Sequence, residues 1–365
     1  MSTESESLST LALSPNVHNS SQRAAAVTTS LLAFRVHDDD DVAVALRALH
    51  AGERVTIGSI SVVATETIGA GHKIALHAMQ PDEIVHKYGV PIGRVTSPIA
   101  AGAWVHSHNL ATRLTGDAGY VRHAHQANAT TAFTAVMPTF DGYRRADGRI
   151  ATRNEIWVLN TVGCVTTAAE RIARAATERF AGTVDGIHAF AHPYGCSQLG
   201  DDLKPTQAVL GGLLCNPNAG GALVLGLGCE NNQLPAFLRD AAPSDASRLR
   251  SFNTQDVQDE IEAGVVAIGE LIDRMASDKR EPVPASSLVL GHKCGGSDGF
   301  SGLSANPLLG RLAYRVTAFG GTVVLTEVPE MFGAEQVLLD RTVSDAVFDE
   351  VTRMVDDFKA YFVRH

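Results

Sequence analysis

Ala222-Leu-Val-Leu-Gly-Leu-Gly-Cys-Glu-Asn-Asn232 sets the fold class of this 365-residue chain. Four apolar residues run into a Gly-x-Gly turn, and Cys229 and Glu230 stand just past it. A run this short, closed by glycine, fits a strand better than a helix, and consecutive apolar side chains need cover on both faces. Moving outward, Gly186-Ile-His-Ala-Phe-Ala191 runs into His192-Pro-Tyr-Gly-Cys196, and Ser287-Leu-Val-Leu290 leads to Lys293-Cys294-Gly-Gly. Glu155–Val162 and Thr322–Thr326 also read as strands. Helical spacing separates them. Thr166–Phe180 carries Ala169, Ile172, Ala173 and Ala176 on one face, and Asp256–Lys279 carries Val257, Ile261, Val265, Ile268, Ile272 and Met275. Leu308–Phe319 and Ser344–Phe362 follow, the last with Val347, Val351, Val355, Phe358 and Phe362 along one side. This alternation predicts βαβ units and an α/β domain over residues 147–365, with a mostly parallel, Rossmann-like sheet.

Towards the N-terminus the segments are shorter and broken by glycine or proline. Leu31–Val36, Arg54–Ile57, Ser61–Thr65, His72–Ala78 and Trp104–His108 predict a small β-rich domain over residues 31–112. Asp41–Leu49 reads as a single helix, with acidic residues at its start. Residues 113–146 carry weak patterning and read as a linker. Residues 1–30, rich in Ser, Thr, Asn and Ala, read as a disordered extension.

The net charge of −10, without a basic stripe bearing aromatics, argues against nucleic acid as a partner. No apolar run approaches the ~20 residues of a membrane helix. Met1-Ser-Thr-Glu-Ser-Glu-Ser lacks the basic and apolar regions of a signal peptide. Five cysteines, an odd number without a C-x-x-C pair, predict reduced thiols and a cytoplasmic protein.

Chemistry concentrates at the strand ends. In an open parallel sheet the loops leaving the carboxyl ends converge, and ligands bind there. Cys196, Cys229 and Cys294 would meet at such an edge, with Cys164 and the Glu327-Val-Pro-Glu330 loop nearby. Thiolates and carboxylates together suit iron, zinc or an iron–sulfur cluster. The competing reading makes the cysteines small packing residues beside glycine. Cys215, in a helical stretch, reads as core. Gly295-Gly-Ser-Asp-Gly-Phe-Ser-Gly302 precedes a helix, so its backbone N–H groups suit a carboxylate, although a plain tight turn would look the same. It is neither G-x-G-x-x-G nor a P-loop.

His106 and His108 stand two apart. In an extended segment that spacing turns both to one face, for a shared metal or an acid/base pair, unless they decorate a solvated edge. His123 and His125 repeat it in the linker. Arg144, Arg145, Arg149 and Arg153 cluster before the first α/β strand and suit a carboxylate substrate or plain solvated charge. There is no H-E-x-x-H.

Several strings are long and unusual. They are Val105-His-Ser-His-Asn109, Asp147-Gly-Arg-Ile-Ala-Thr-Arg-Asn154, Thr161-Val-Gly-Cys164, Tyr194-Gly-Cys-Ser-Gln-Leu-Gly-Asp-Asp202, Gly226-Leu-Gly-Cys-Glu-Asn-Asn-Gln233, Cys294-Gly-Gly-Ser-Asp-Gly299, Ser304-Ala-Asn-Pro307 and Glu327-Val-Pro-Glu-Met-Phe-Gly-Ala-Glu335. In these the chain resembles the altronate/galactarate dehydratase family, on its altronate branch, from about residue 32 onward. The resemblance implies a small SAF-type β-clip domain ahead of the α/β region. It implies a hydro-lyase that turns D-altronate into 2-dehydro-3-deoxy-D-gluconate in hexuronate breakdown. A divalent metal would be Fe²⁺, with Mn²⁺ as an alternative and an iron–sulfur cluster less favoured. Cys196, Cys229, Cys294 and His192 are the expected metal ligands, and His106, His108 and Glu230 the expected acid/base groups. Arg153, Asn154, Gly295, Gly296, Ser297 and Asp298 are expected to hold the substrate, a small sugar acid. A homo-oligomer, a dimer, is expected. Family chains continue past the counterpart of Phe362, which predicts a fragment or one half of a split enzyme. The alternatives are a lyase for galactarate or a sulfonated hydroxy acid, and a non-catalytic partner subunit.

Overall fold

The computed structural model describes residues 31–112, 119–123, 137–293, 295–296 and 298–365. The expected N-terminal extension, His125, Cys294 and Ser297 lie outside the described residues. The chain divides into two compact units, Met1–Asp117 with Asp298–Phe300, and Ala118–Ser297 with Ser301–His365.

The first unit is all β in its described residues. Its strands are β1 (Ala33–Phe34), β2 (Val42–Ala45), β3 (Arg54–Ile57), β4 (Ile60–Val63), β5 (Lys73–Ala75), β6 (Ile84–Lys87), β7 (Val90–Val95), β8 (Trp104–Val105) and β9 (Leu110–Ala111). They form small sheets ordered β1-β2-β5-β8, β3-β4 and β6-β7-β9. The helix expected over Asp41–Leu49 is not formed. Val42–Ala45 is strand β2, paired on both sides and buried at every position, so the alternation of valine and alanine prevails over local helix propensity. Asp41 is no helix-start residue either. Its carboxylate accepts from the His86 backbone N–H (2.7 Å) and meets the rings of His86 (3.0 Å) and His77 (2.9 Å). Those contacts outweigh burial, the largest single influence, and hold the carboxyl below its ordinary value. Gly102 has φ +84°, and a Cβ there would fall 1.9 Å from the Val63 carbonyl, so only glycine lets the chain turn into β8.

The second unit contains β10 (Thr139–Arg144), β11 (Ile150–Ala151), β12 (Glu155–Asn160), β13 (Gly186–Phe190), β14 (Ala219–Gly226), β15 (Leu249–Asn253), β16 (Glu281–Pro284), β17 (Val289–His292) and β18 (Thr322–Leu325). Its helices are α1 (Thr166–Arg179), α2 (Gly200–Leu214), α3 (Leu234–Ala241), α4 (Glu260–Met275), α5 (Ala305–Ala318), α6 (Glu335–Leu339) and α7 (Asp345–Arg364). The main sheet runs β13-β12-β14-β15, all parallel. Alternation along β14 divides its side chains between two cores. Leu223 and Leu225 pack with Ile172 of α1 and Ile268 of α4, while Ala222 and Val224 pack with Leu210 of α2 and Phe237 of α3. Helices therefore cover both faces, as a parallel sheet requires. Helix α4 starts later than its spacing suggests, because the Asp259 carboxylate accepts from the N–H groups of Ile261 and Glu262 and caps it there.

Two expectations change. Strand β17, holding Val289 and Leu290, does not join the main sheet; it pairs in parallel with β18 alone. The segment read as a linker contains β10, which pairs antiparallel with β16 and β11. The nearby residues 119–123 are tied to the C-terminal helices. Gln336 of α6 bonds the Val121 backbone both ways, and Lys359 of α7 reaches the Tyr120 hydroxyl at 2.7 Å. Among the described residues no helix is long and apolar enough to cross a membrane.

Candidate functional site

In strand sequence the main sheet reads 2-1-3-4, so connections leave β12 and β14 in opposite directions. The crevice between their carboxyl ends is where such sheets bind ligands. Three loops meet there. The Asn231 N–H donates to the Cys196 carbonyl at 2.9 Å, and the Asn231 side-chain amide to the Gln198 carbonyl at 3.2 Å, which joins the loops after β13 and β14. The Asn232 amide donates to the Thr161 carbonyl at 3.1 Å and joins the second of these to β12. The Cys196 and Cys229 thiols are exposed on these joined loops; Cys229 Sγ lies 3.8 Å from Gln255 Nε2. Cys164 is also exposed, while Cys215, half-buried at the end of α2, lies 3.4 Å from the Ala241 carbonyl.

Glu230 and His192 are committed within the same loops. Glu230 is 2% exposed, and its carboxylate accepts from Thr161 Oγ1 (2.6 Å), Leu227 N–H (3.0 Å) and Gly228 N–H (2.7 Å). Burial opposes its ionisation and is the largest influence, but these donors prevail and hold the carboxyl below its usual range. A carboxylate so occupied fixes the Gly-Leu-Gly-Cys turn. His192 Nε2 pairs with the Asn160 carbonyl (2.8 Å), so it carries the proton, and Nδ1 accepts from Tyr194 N–H (3.3 Å). Both ring nitrogens are engaged, which leaves none for a metal in this arrangement. Neither Asn160, whose Oδ1 is fully buried without a partner, nor Thr161, whose hydroxyl locks Glu230, was among the expected site residues. Their only sequence signal is polarity at the end of an apolar strand. Beside these loops a cavity of about 660 Å³ is lined by Phe190, His192, Tyr194, Gln198, Asp202 and Thr206.

Other expected residues stand elsewhere. Arg153 and Asn154 precede β12 and so sit at its amino end, a strand length of about 20 Å from the crevice. Arg153 is paired with Glu155 (2.8 Å) and the Asp185 carbonyl (2.7 Å). Asn154 is buried, accepts from Arg145 and donates its N–H to Asp185. Both brace the strand's start, which opposes a substrate role. Gly295 and Gly296 are exposed, with open space where a Cβ would stand; Asp298 accepts from the Phe300 N–H at 2.7 Å. Among the described residues no three His, Cys, Asp or Glu groups are placed to hold a metal, so they do not supply a complete ligand set.

In the first unit, His106 and His108 lie in the turn after β8, not in an extended strand. The same-face argument therefore fails, yet both rings come together on Trp104, with centroids 5.0 and 5.3 Å from it. Asn109 is buried and builds the turn. Its Oδ1 accepts from the His106 N–H (3.0 Å), and its Nδ2 donates to the Trp104 carbonyl (2.9 Å). His106 is held below the ordinary imidazole value, first by desolvation, then by Lys73, His72 and His108. The ring is thus neutral at pH 7, able to accept a proton.

Residues 142–276 match the family described as D-galactarate dehydratase/Altronate hydrolase, second domain; 285–365 match its C-terminal domain, and 31–113 the Altronate/galactarate dehydratase SAF domain. The chain is 42% identical to the Altronate dehydratase of Bacillus subtilis (strain 168) and 45% to that of Escherichia coli (strain K12). Each alignment covers 91% of this chain and 67% of the relative. Identity to the Galactarate dehydratase (L-threo-forming) of Escherichia coli (strain K12) is 30% over 88% of the chain and 64% of that protein.

Proposed function

This chain belongs to the D-galactarate/altronate dehydratase family, and on that premise we propose that it is a hydro-lyase acting on D-altronate, with 2-dehydro-3-deoxy-D-gluconate as product. The observation that carries the substrate is the contrast in identity, 42–45% to two altronate dehydratases against 30% to a galactarate dehydratase.

The chemistry needs a base and an acid. The C2–H bond beside the carboxylate breaks, and its electron pair forms the C2–C3 double bond as the C3 hydroxyl leaves with an added proton, as water. The resulting enol tautomerises to the 2-keto acid. His106, neutral at pH 7 and held in the Asn109 turn, suits removal of the C2 proton. His108, the second imidazole on Trp104, is the acid for the departing hydroxyl. The divalent metal that the resemblance implies, Fe²⁺ or Mn²⁺, would supply a Lewis acid to the substrate carboxylate when bound; the described residues alone do not supply a complete ligand set for it.

The test is formation of 2-keto acid from D-altronate and, separately, galactarate, for the chain and for a His106→Asn, His108→Asn double variant. Altronate should be the faster substrate, and the double variant should lose between about 10²- and 10⁴-fold in turnover. Faster turnover of galactarate would overturn the substrate, and an unimpaired double variant the imidazole mechanism.

A further inference from the structure

Three imidazoles surround Trp104. In addition to His106 and His108, His72 stands edge-on to the indole, with centroids 5.3 Å apart and planes at 88°. Its ring lies 5.5 Å from that of His106. The pairing of β5 with β8 explains the meeting: Lys73 faces Val105 and Ile74 faces Trp104, so one step outward His72 comes opposite His106. Trp104 Nε1 lies 3.3 Å from His72 Nδ1. An indole N–H only donates, so His72 Nδ1 must be the acceptor and its proton must sit on Nε2. The other edge of Trp104 is anchored by packing against the core around Leu49 and Ile68.

We propose that His72 is a positioning residue for His106: its unprotonated Nδ1 holds the Trp104 indole, and the indole in turn sets the His106 ring. The proposal rests on the reading of His106 as the base. Loss of that acceptor removes the bond that holds the indole, so the platform under His106 loosens. The other ionisable groups around the cluster are Glu66, whose carboxylate accepts from Trp104 N–H at 3.4 Å, Lys73 beside His72, Lys87 acting on Lys73, and His108. Lys73 shares the pleat face of Val105, opposite to that of His72, so it acts on the cluster as a field and not as a bonding partner.

The test uses the full chain with labelled histidine and tryptophan and follows ring resonances by NMR in the unmodified protein, His72→Ala, His72→Asn and Trp104→Phe, alongside steady-state kinetics. His72 should show the Nε2–H tautomer, and the Trp104 indole N–H resonance should move in His72→Ala. In His72→Ala the His106 midpoint should rise toward 6.5, its ordinary value. That variant should also lose about 10- to 10²-fold in kcat with KM nearly unchanged, as a displaced catalytic ring predicts. His72→Asn, whose Oδ1 still accepts from the indole, should recover most of the loss, while Trp104→Phe, without the donor, should not. An indole resonance indifferent to His72, or His72→Asn no better than His72→Ala, overturns the proposal. The NMR coupling is independent of turnover. A fully active His106→Asn variant would therefore remove the acid/base reading while leaving the His72–Trp104–His106 linkage to be judged by its resonances.

Discussion

The tripeptide Leu-Val-Leu occurs twice in strand regions, at Leu223–Leu225 and at Leu288–Leu290. In β14 all three residues are fully buried. In and before β17, Val289 is 67% exposed and its two leucines are half-buried. Local sequence is the same, so the difference comes from neighbours. Strand β14 has β12 on one side, β15 on the other, and helices over both faces. Strand β17 has β18 alone, whose Val324 and Leu325 are also exposed. An apolar run states how much cover a strand can use, and the sheet around it decides how much it receives. The loops follow suit. The one after β14 is fixed by a buried carboxylate, whereas an exposed Lys293 and a half-buried Glu327, in the loops after β17 and β18, pair at 3.6 Å.

The largest effect should come from removing a leucine from a strand of each sheet. Leu225→Ala, at a fully buried position, should cost about 2–5 kcal/mol through lost burial and a cavity. Leu325→Ala, 56% exposed, should fall within about 0.5 kcal/mol of the unmodified chain. Urea unfolding followed by circular dichroism measures both. Equal losses would show that β18 is buried in solution.

The next effect separates the loops. Glu230→Gln removes the charge from three short hydrogen bonds and should destabilise by about 1.5–3 kcal/mol at pH 7. The folded-state value of Glu230 lies below its ordinary 4.5. Its contribution is therefore complete above about 4.5 and fades as pH falls through the lower, folded value. The unmodified protein and Glu230→Gln should thus converge in stability under acid. Parallel pH profiles would place the stabilisation somewhere other than this carboxylate.

The sheet was legible where apolar runs and helical faces were strong. The face Ala169, Ile172, Ala173, Ala176 is buried as its spacing requires. Strand β15, Leu-Arg-Ser-Phe-Asn253, was not legible, because an edge strand with polar residues has no continuous apolar run. Cys196 and Cys229 stand on loops of one sheet joined by the Asn231–Cys196 backbone bond, but the sheet to which β17 belongs is a matter of pairing that its sequence does not carry. The place of Arg153 and Asn154 follows from chain direction alone, since residues before a parallel strand stand at its amino edge. His72 is 34 positions from His106, and only the register of β5 on β8 unites them.

The smallest effect is the most direct test of the two tripeptides. Threonine matches valine in shape but adds a hydroxyl. At Val224, fully buried in the apolar cluster with Leu210 and Phe237, that hydroxyl enters the core, and Val224→Thr should cost about 1–3 kcal/mol for burying a polar group there. At Val289 the hydroxyl meets water, and Val289→Thr should stay within about 0.5 kcal/mol. The same pair can be read without unfolding. Amide exchange in β14 should proceed only through global opening, whereas β17, paired on one side, should exchange through local opening at lower free energy. If Val289→Thr destabilises as much as Val224→Thr, or if β17 amides are protected like those of β14, then the β17–β18 pair is covered in solution and the contrast between the two sheets disappears.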